Sequence, residues 1–265
     1  MITRRTLVLN GLALGSSGFL GAGLSGAAGL SAPAAGEDSL TVAVLGATGR
    51  TGRFVVEALL ARGHAVRGIS RSAGDRPPRD GVSWISADVR QPETLRPALE
   101  NVDALIYAVG VNFSEVEADA LYDVYHTGVA DAADLSAKAG VKRFVLLSSA
   151  GRSPASSMPE ALRPSMDAKA KGEAALRASG IDYTISRTSG LWDRPGGEYG
   201  ILFLQTETIP PGGPYMICRE DSASVLVECA VTEKAVNKTF AVLNAVTFRV
   251  GAWREALPHL REDPA

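Results

Sequence analysis

From Ser39 onward, short apolar runs alternate with segments whose apolar positions recur at helical spacing. Leu40–Leu45, His64–Ser70, Val82–Ser86, Ala104–Val109 and Phe144–Leu147 read as strands, and Thr184–Arg187 and Thr239–Leu243 add two more. Val42-Ala43-Val44-Leu45 and Phe144-Val145-Leu146-Leu147 are apolar without alternation, the pattern of strands covered on both faces in a parallel sheet. Between the strands, Phe54–Leu60 carries an apolar stripe along one helical face, and Glu117–Ala139, Asp167–Ser179 and Glu220–Val231 read as helices. Gly63, Gly140 and Gly180 each follow a helical segment, where a left-handed closing residue is favoured. Strands and helices in strict alternation predict an α/β fold, a doubly wound and mostly parallel sheet.

Two regions break this rhythm. Thr188–Pro214 holds Pro195-Gly196-Gly197 and Pro210-Pro211-Gly212-Gly213-Pro214, too many breakers for a long regular element. An insertion after the sixth strand sits over the carboxyl ends of the strands, so 188–217 reads as a small C-terminal substrate-side cover; an ordinary surface loop is the alternative. The second region is the N-terminus. Arg4-Arg5 precedes a stretch with no charge before Glu37, and Ala32-Pro33-Ala34 has the small-x-small form of a signal peptidase site. Residues 1–34 read as an export signal of twin-arginine type, with Leu7 where Phe is usual. The expected location is periplasmic or secreted, with no stable membrane insertion after cleavage; an uncleaved membrane anchor is the alternative. Residues 35–265 then form one domain.

Composition narrows the chemistry. The chain of 265 residues has 27 basic and 29 acidic side chains, a net charge of −2, and 6% aromatics, which gives neither a basic groove nor stacking surfaces for nucleic acid. The two cysteines, Cys218 and Cys229, are separated mostly by predicted helix. Such a helix spans roughly 16 Å, against the ~7 Å Cα separation that a disulfide tolerates, so no bridge is expected. The three histidines are scattered and no metal-ligand spacing occurs.

The most informative segment is Gly46-Ala47-Thr48-Gly49-Arg50-Thr51-Gly52, a G-x-x-G-x-x-G turn between a buried strand and an amphipathic helix. Glycines there permit a tight turn, close approach of backbone to a pyrophosphate and close packing of helix on strand. The helix start presents free N–H groups and partial positive charge to the phosphates. The turn in this context predicts a Rossmann-type dinucleotide site. The second strand ends Arg67-Gly68-Ile69-Ser70-Arg71-Ser72, without the carboxylate that would hold the ribose hydroxyls of NAD. Arg71 suits a 2′-phosphate, with Arg50 able to approach the same group, so NADP is favoured over NAD.

These residues, together with Ala87-Asp88-Val89, Ala139-Gly140-Val141-Lys142-Arg143-Phe144-Val145-Leu146-Leu147-Ser148-Ser149, Lys169-Ala170-Lys171-Gly172-Glu173, Ser179-Gly180-Ile181-Asp182-Tyr183 and Arg219-Glu220-Asp221, resemble the atypical short-chain dehydrogenase/reductases. The likeness is to the NmrA-like and biliverdin/flavin-reductase-like branch, over Leu40 to about Leu243. It implies cofactor contacts from Gly46, Thr48, Gly49, Arg50, Thr51 and Gly52. Asp88 and Val89 would flank the adenine, and Ala108, Val109 and Gly110 would line the adenosine ribose. Ser148 and Ser149 would lie near the nicotinamide, with Ser149 matching the family's catalytic serine, and Lys169 would hold the nicotinamide ribose.

One departure bears on mechanism. The superfamily pattern is Tyr-x-x-x-Lys, and four residues before Lys169 stands Ser165, a far poorer acid than a phenol. Tyr125 is a candidate replacement, unless it is a packing tyrosine. Arg187-Thr188 also replaces the family's Arg-Pro step. The resulting expectation is an NADP(H)-dependent oxidoreductase acting on a small organic substrate. Hydride transfer to a quinone- or flavin-like ring asks less of a protein acid than carbonyl reduction does. The alternative is a non-catalytic NADP-binding module that senses redox state. Substrate identity and oligomeric state stay open.

Overall fold

The computed structural model describes residues 39–111, 117–150, 160–206 and 216–264. The export signal expected over 1–34 and the Pro210–Pro214 breakers of the expected cover lie outside these residues. Strand β1 (Thr41–Leu45) leads into helix α1 (Gly52–Ala61), followed by β2 (Ala65–Ser70), β3 (Val82–Ser86) and β4 (Ala104–Tyr107). Helices α2 (Ala118–Tyr122) and α3 (Gly128–Ala139) are joined by a π-helical turn, Asp123–Thr127. Then come β5 (Arg143–Ser149), α4 (Arg163–Ala178), β6 (Asp182–Thr188), β7 (Gly190–Trp192), β8 (Gly200–Leu204), β9 (Met216–Cys218), α5 (Arg219–Val231), β10 (Lys238–Ala245) and α6 (Trp253–Ala256).

The main sheet has the order β3-β2-β1-β4-β5-β6-β10-β8. Every pairing is parallel except β8 against β10. Strand β1 explains why the sheet is covered twice. Ala43 and Leu45 belong to one apolar core with Val129, Ala132 and Ala133 of α3 and Leu176 of α4. Val42 and Val44 belong to the other, with Val55, Val56 and Leu59 of α1 and Val225 and Leu226 of α5. A run with no polar position has apolar partners on both sides, which is what the sequence pattern predicts. The glycines following α1 and α3, Gly63 and Gly140, both adopt φ +78°.

The segment expected to be an irregular cover is more ordered than its breakers imply. Gly200–Leu204 forms the eighth sheet strand, with Phe203 opposite Val242, and β7 pairs with β9 in a separate two-stranded ribbon. Prolines and glycines mark the ends of these strands, and the pairing partners lie far along the chain. Both cysteines are buried and unbridged. Among the described residues no helix is long and apolar enough to cross a membrane.

Candidate functional site

The strand order reverses direction between β1 and β4, which opens a crevice beyond their carboxyl ends. A cavity of about 400 Å³ occupies this crevice. It is built from four loop ends: Gly46, Thr48 and Gly49 after β1, Ser70 and Arg71 after β2, Asp88 to Arg90 after β3, and Ala108 to Val111 after β4. Thus the expected contacts Gly46, Thr48, Gly49, Arg71, Asp88, Val89, Ala108, Val109 and Gly110 all come to one cavity.

The glycine turn is shaped by what surrounds it. Gly46 has φ +82°, and a Cβ there would stand 2.7 Å from the Ala108 carbonyl oxygen. A Cβ on Gly52 would run into the Gly46 carbonyl. Both substitutions would push β1, β4 and the start of α1 apart. No acidic residue stands in the first turn of α1 and its Thr51 makes no side-chain capping bond, so the helix start keeps its positive end open. The Ser70 hydroxyl oxygen, on the cavity wall, is buried and has no hydrogen-bond partner. A cradle that side chains would fill and an orphaned polar atom in its wall fit a dinucleotide.

At the β2 and β3 end, Arg71 is exposed. Asp88 faces it with its carboxylate already engaged: Arg90 Nε lies 3.0 and 3.1 Å from its two oxygens and Nη2 lies 2.5 Å from Oδ2. This hydrogen-bonded fork holds the Asp88 carboxyl below its usual range, and the charge of Arg71 adds to the effect. Arg90 was not singled out from the sequence, because nothing local marks it as different from a solvated arginine.

Arg50 and Thr51 are placed differently. Arg50 does not line the cavity but forms an ion pair with Asp193, beyond β7. Asp193 also accepts from Arg219 Nε at 2.7 Å, and Arg219 Nη1 reaches the Thr51 hydroxyl at 3.3 Å. Arg219 is buried, so the glycine turn is tied to the 188–217 segment through a buried cation. The Arg219-Glu220-Asp221 motif was the available signal for this link. Asp221 in turn accepts from the Gly197 N–H at 2.7 Å and from Asn244 at 2.7 Å, and Glu220 accepts from the Gly196 N–H at 2.9 Å.

A second cluster lies at the end of β5 and along α4, outside the cavity lining. Lys169 Nζ donates to the Ser149 hydroxyl at 2.5 Å and sits 4.6 Å from the centre of the Tyr125 ring. Burial pushes the Lys169 ammonium down to about 8, with the charge of Glu173 opposing the fall. Tyr125 is carried by the π-helical turn and is buried. Its hydroxyl accepts the Val111 N–H at 3.0 Å and donates to the Val111 carbonyl at 3.4 Å, so it offers Lys169 a ring face rather than a phenol proton. Burial also raises the Tyr125 phenol. Gly172 makes the approach possible, because a Cβ there would collide with the Tyr125 carbonyl. The π turn leaves the Val124 carbonyl facing β4, where the Tyr107 hydroxyl donates to it at 2.6 Å.

Ser148 points the other way. Its hydroxyl donates to Glu173 Oε1 at 2.7 Å inside the fold. Glu173 is fully buried and is gripped by Arg187, with Nη2 to Oε2 at 2.6 Å and Nε to Oε1 at 3.1 Å. The structure therefore brings Ser149, Lys169 and Tyr125 together and assigns Ser148 to a buried ion pair behind them. Ser165, at the position of the superfamily tyrosine, is buried on α4. Among the described residues no group of acidic, histidine and cysteine side chains is arranged to hold a metal ion.

Comparisons with known proteins agree with this geometry. A family model described as NAD(P)H-binding matches residues 46–233. Sanguinarine reductase of Eschscholzia californica is 29% identical over 243 residues, covering 76% of this chain and 88% of that protein. The photosystem II assembly factor Ycf39 of Synechocystis is 29% identical over 213 residues, 78% of this chain, and the match spans only 63% of that longer protein. Among solved structures, the oxidoreductase ylbE from Lactococcus lactis superposes with a TM-score of 0.71 at 22% identity, covering 85% of this chain and all of that one.

Proposed function

The chain belongs to the NAD(P)H-binding family, and on that premise we propose that it is an NADP(H)-dependent oxidoreductase that reduces a small organic acceptor of quinone or flavin type. The observation that carries this reading is the Lys169–Ser149 hydrogen bond at 2.5 Å, at the carboxyl end of β5 beside the strand-end crevice. A reductase among the relatives supports it. When bound, the nicotinamide supplies a hydride. Gly46, Thr48, Gly49 and the start of α1 would cradle the phosphates, Ala108 to Gly110 would line the adenosine ribose, and Arg71 would pair with a 2′-phosphate.

The remaining chemistry belongs to protein side chains. Lys169 holds a proton against Ser149, and with its ammonium at about 8 it gives that proton up far more readily than an exposed lysine. The Ser149 hydroxyl, which accepts from Lys169, would relay the proton to the acceptor or hold an acceptor oxygen. The buried Glu173–Arg187 pair fixes the β5 end through Ser148. No phenol is required in this arrangement, which accommodates Ser165 in place of tyrosine.

The test is NADPH oxidation with quinones, flavins and aldehydes as acceptors, alongside nucleotide binding. Turnover of a ring acceptor that falls at least 100-fold in Ser149→Ala and Lys169→Met, with binding kept, supports the reading. The absence of turnover above background with tight NADPH binding favours a redox-sensing module instead. Ser165 at the tyrosine position and an assembly factor among the relatives are the observations behind that second reading.

Export of twin-arginine type is part of the proposal, supported by Arg4-Arg5 and Ala32-Pro33-Ala34. Such transport carries folded protein, so the cofactor would cross already bound. Replacing Arg4 and Arg5 together by lysine should retain the protein in the cytoplasm; unchanged fractionation would refute this.

A further inference from the structure

The β2 and β3 end of the cavity holds three charges whose arrangement points to a second phosphate-reading residue. Arg71 and Arg90 line the same cavity from consecutive strand ends, with Asp88 lining it beside Arg90. Asp88 would repel a 2′-phosphate if left free. It is not free: Arg90 grips both of its oxygens, and the Arg90 backbone N–H donates to Oδ1 at 3.0 Å. The Asp88 side chain is 15% exposed and that of Arg90 43%, so the carboxylate is the seated anchor and the guanidinium the open face. A fork that uses Nε and Nη2 leaves Nη1 to donate elsewhere, since a guanidinium has five N–H groups.

We propose that Arg90, held in place by Asp88, is a second specificity determinant for the cofactor's 2′-phosphate, acting together with Arg71 from the neighbouring strand end. This rests on the NADP(H) reading above. With Asp88 neutralised by Arg90, the wall carries a net positive charge that comes from Arg71, and the anion meets two guanidiniums. The other carboxylate whose charge reaches Arg90 is Asp123, at the start of the π turn, and it does not line the cavity. A neutral 2′-hydroxyl gains little from this pair, so the effect is selective for NADP.

The experiment is calorimetric titration of the full chain and of Arg71→Gln and Arg90→Gln with NADP+ and with NAD+. Arg90 is on the surface, so its replacement leaves folding intact, which an unchanged melting temperature verifies. The expected result is a roughly tenfold loss of NADP+ affinity in R90Q, with NAD+ affinity held within about twofold. Equal loss for both nucleotides would mean that Arg90 serves the adenine, no loss for either would mean that it does not reach the phosphate, and recovery of NADP+ affinity when Asp88→Asn is added to R90Q would mean that it only neutralises Asp88; each overturns the proposal. If R71Q abolishes the NADP+ preference and R90Q keeps it, Arg90 alone is misassigned. If the wild-type protein binds NAD+ as well as NADP+, the underlying cofactor reading fails instead.

Discussion

Replacing Lys169 by methionine should make the protein more stable and less active at the same time. Methionine matches the length of the lysine stem and removes the ammonium, which burial holds at about 8 rather than the ordinary 10.5. A depression of that size corresponds to on the order of 3 kcal/mol of disfavoured charge. The sign follows from linkage. The unfolded chain binds the proton more tightly than the folded one, so stability rises with pH between the folded and unfolded values. At pH 7, below both, the wild type carries the full penalty and the methionine variant carries none. Losing the bond to Ser149 and the contact with the Tyr125 ring returns part of that gain, which leaves a net stabilisation of roughly 1–3 kcal/mol. For a chain of this size each 1 kcal/mol shifts the melting temperature by roughly 2–4 °C. Urea denaturation of both proteins at pH 7 and at pH 9.5 is the assay. The gap should be largest at pH 7 and shrink at pH 9.5, while ring-acceptor reduction falls at least 100-fold. A destabilised variant whose deficit is the same at both pH values would show that Lys169 is a structural lysine and refute the reasoning.

Three further outcomes follow from other parts of the structure. Glu173→Ala leaves Arg187 buried without its main partner, and denaturation should show a loss of roughly 3–5 kcal/mol, whereas Glu173→Gln should lose less; equal losses would contradict the ion-pair argument. Gly172→Ala forces α4 away from the Tyr125 carbonyl and should destabilise by about 1–3 kcal/mol while lowering activity more than NADP+ affinity, a split that kinetics beside titration resolves. The pH profile of acceptor reduction should fall as pH rises through about 8, because the Lys169 proton is lost there; a flat profile up to pH 10 in a reaction limited by proton transfer would exclude the lysine.

How much of this was legible depended on whether a feature is local. The β1 strand and its glycine turn were readable because an apolar run, three spaced glycines and an amphipathic helix sit side by side in the chain. The expected strand bounds Val82–Ser86 were met, and those of β1 and β2 were one residue too long at the start. Strand β8 was not readable: it lies between breakers, and its partner β10 is some forty residues onward, with Ile201 opposite Asn244. The π turn was equally silent, since it differs from an α-helix by one hydrogen-bond step that Gly128 and the Tyr107 hydroxyl accommodate. In the site, Lys169 and Ser149 came from the family resemblance. Glu173 stands in the sequence only as the end of a motif of the resemblance, and the fold shows it buried against Arg187. Asp193 and Arg90 were missed for the same reason: an ion pair that shapes a pocket leaves no periodic trace.

The central claim is that the glycine-lined start of α1, with Arg71 beside it, selects a phosphorylated nicotinamide dinucleotide. Native mass spectrometry of the full chain, mixed with equal concentrations of NADP+ and NAD+, tests it most directly. One dominant adduct with the mass of NADP is expected, lost in Gly46→Val, where a side chain would press on the Ala108 carbonyl. An NAD adduct of equal or greater abundance would contradict the assignment of Arg71, and no adduct of either kind would contradict the site itself.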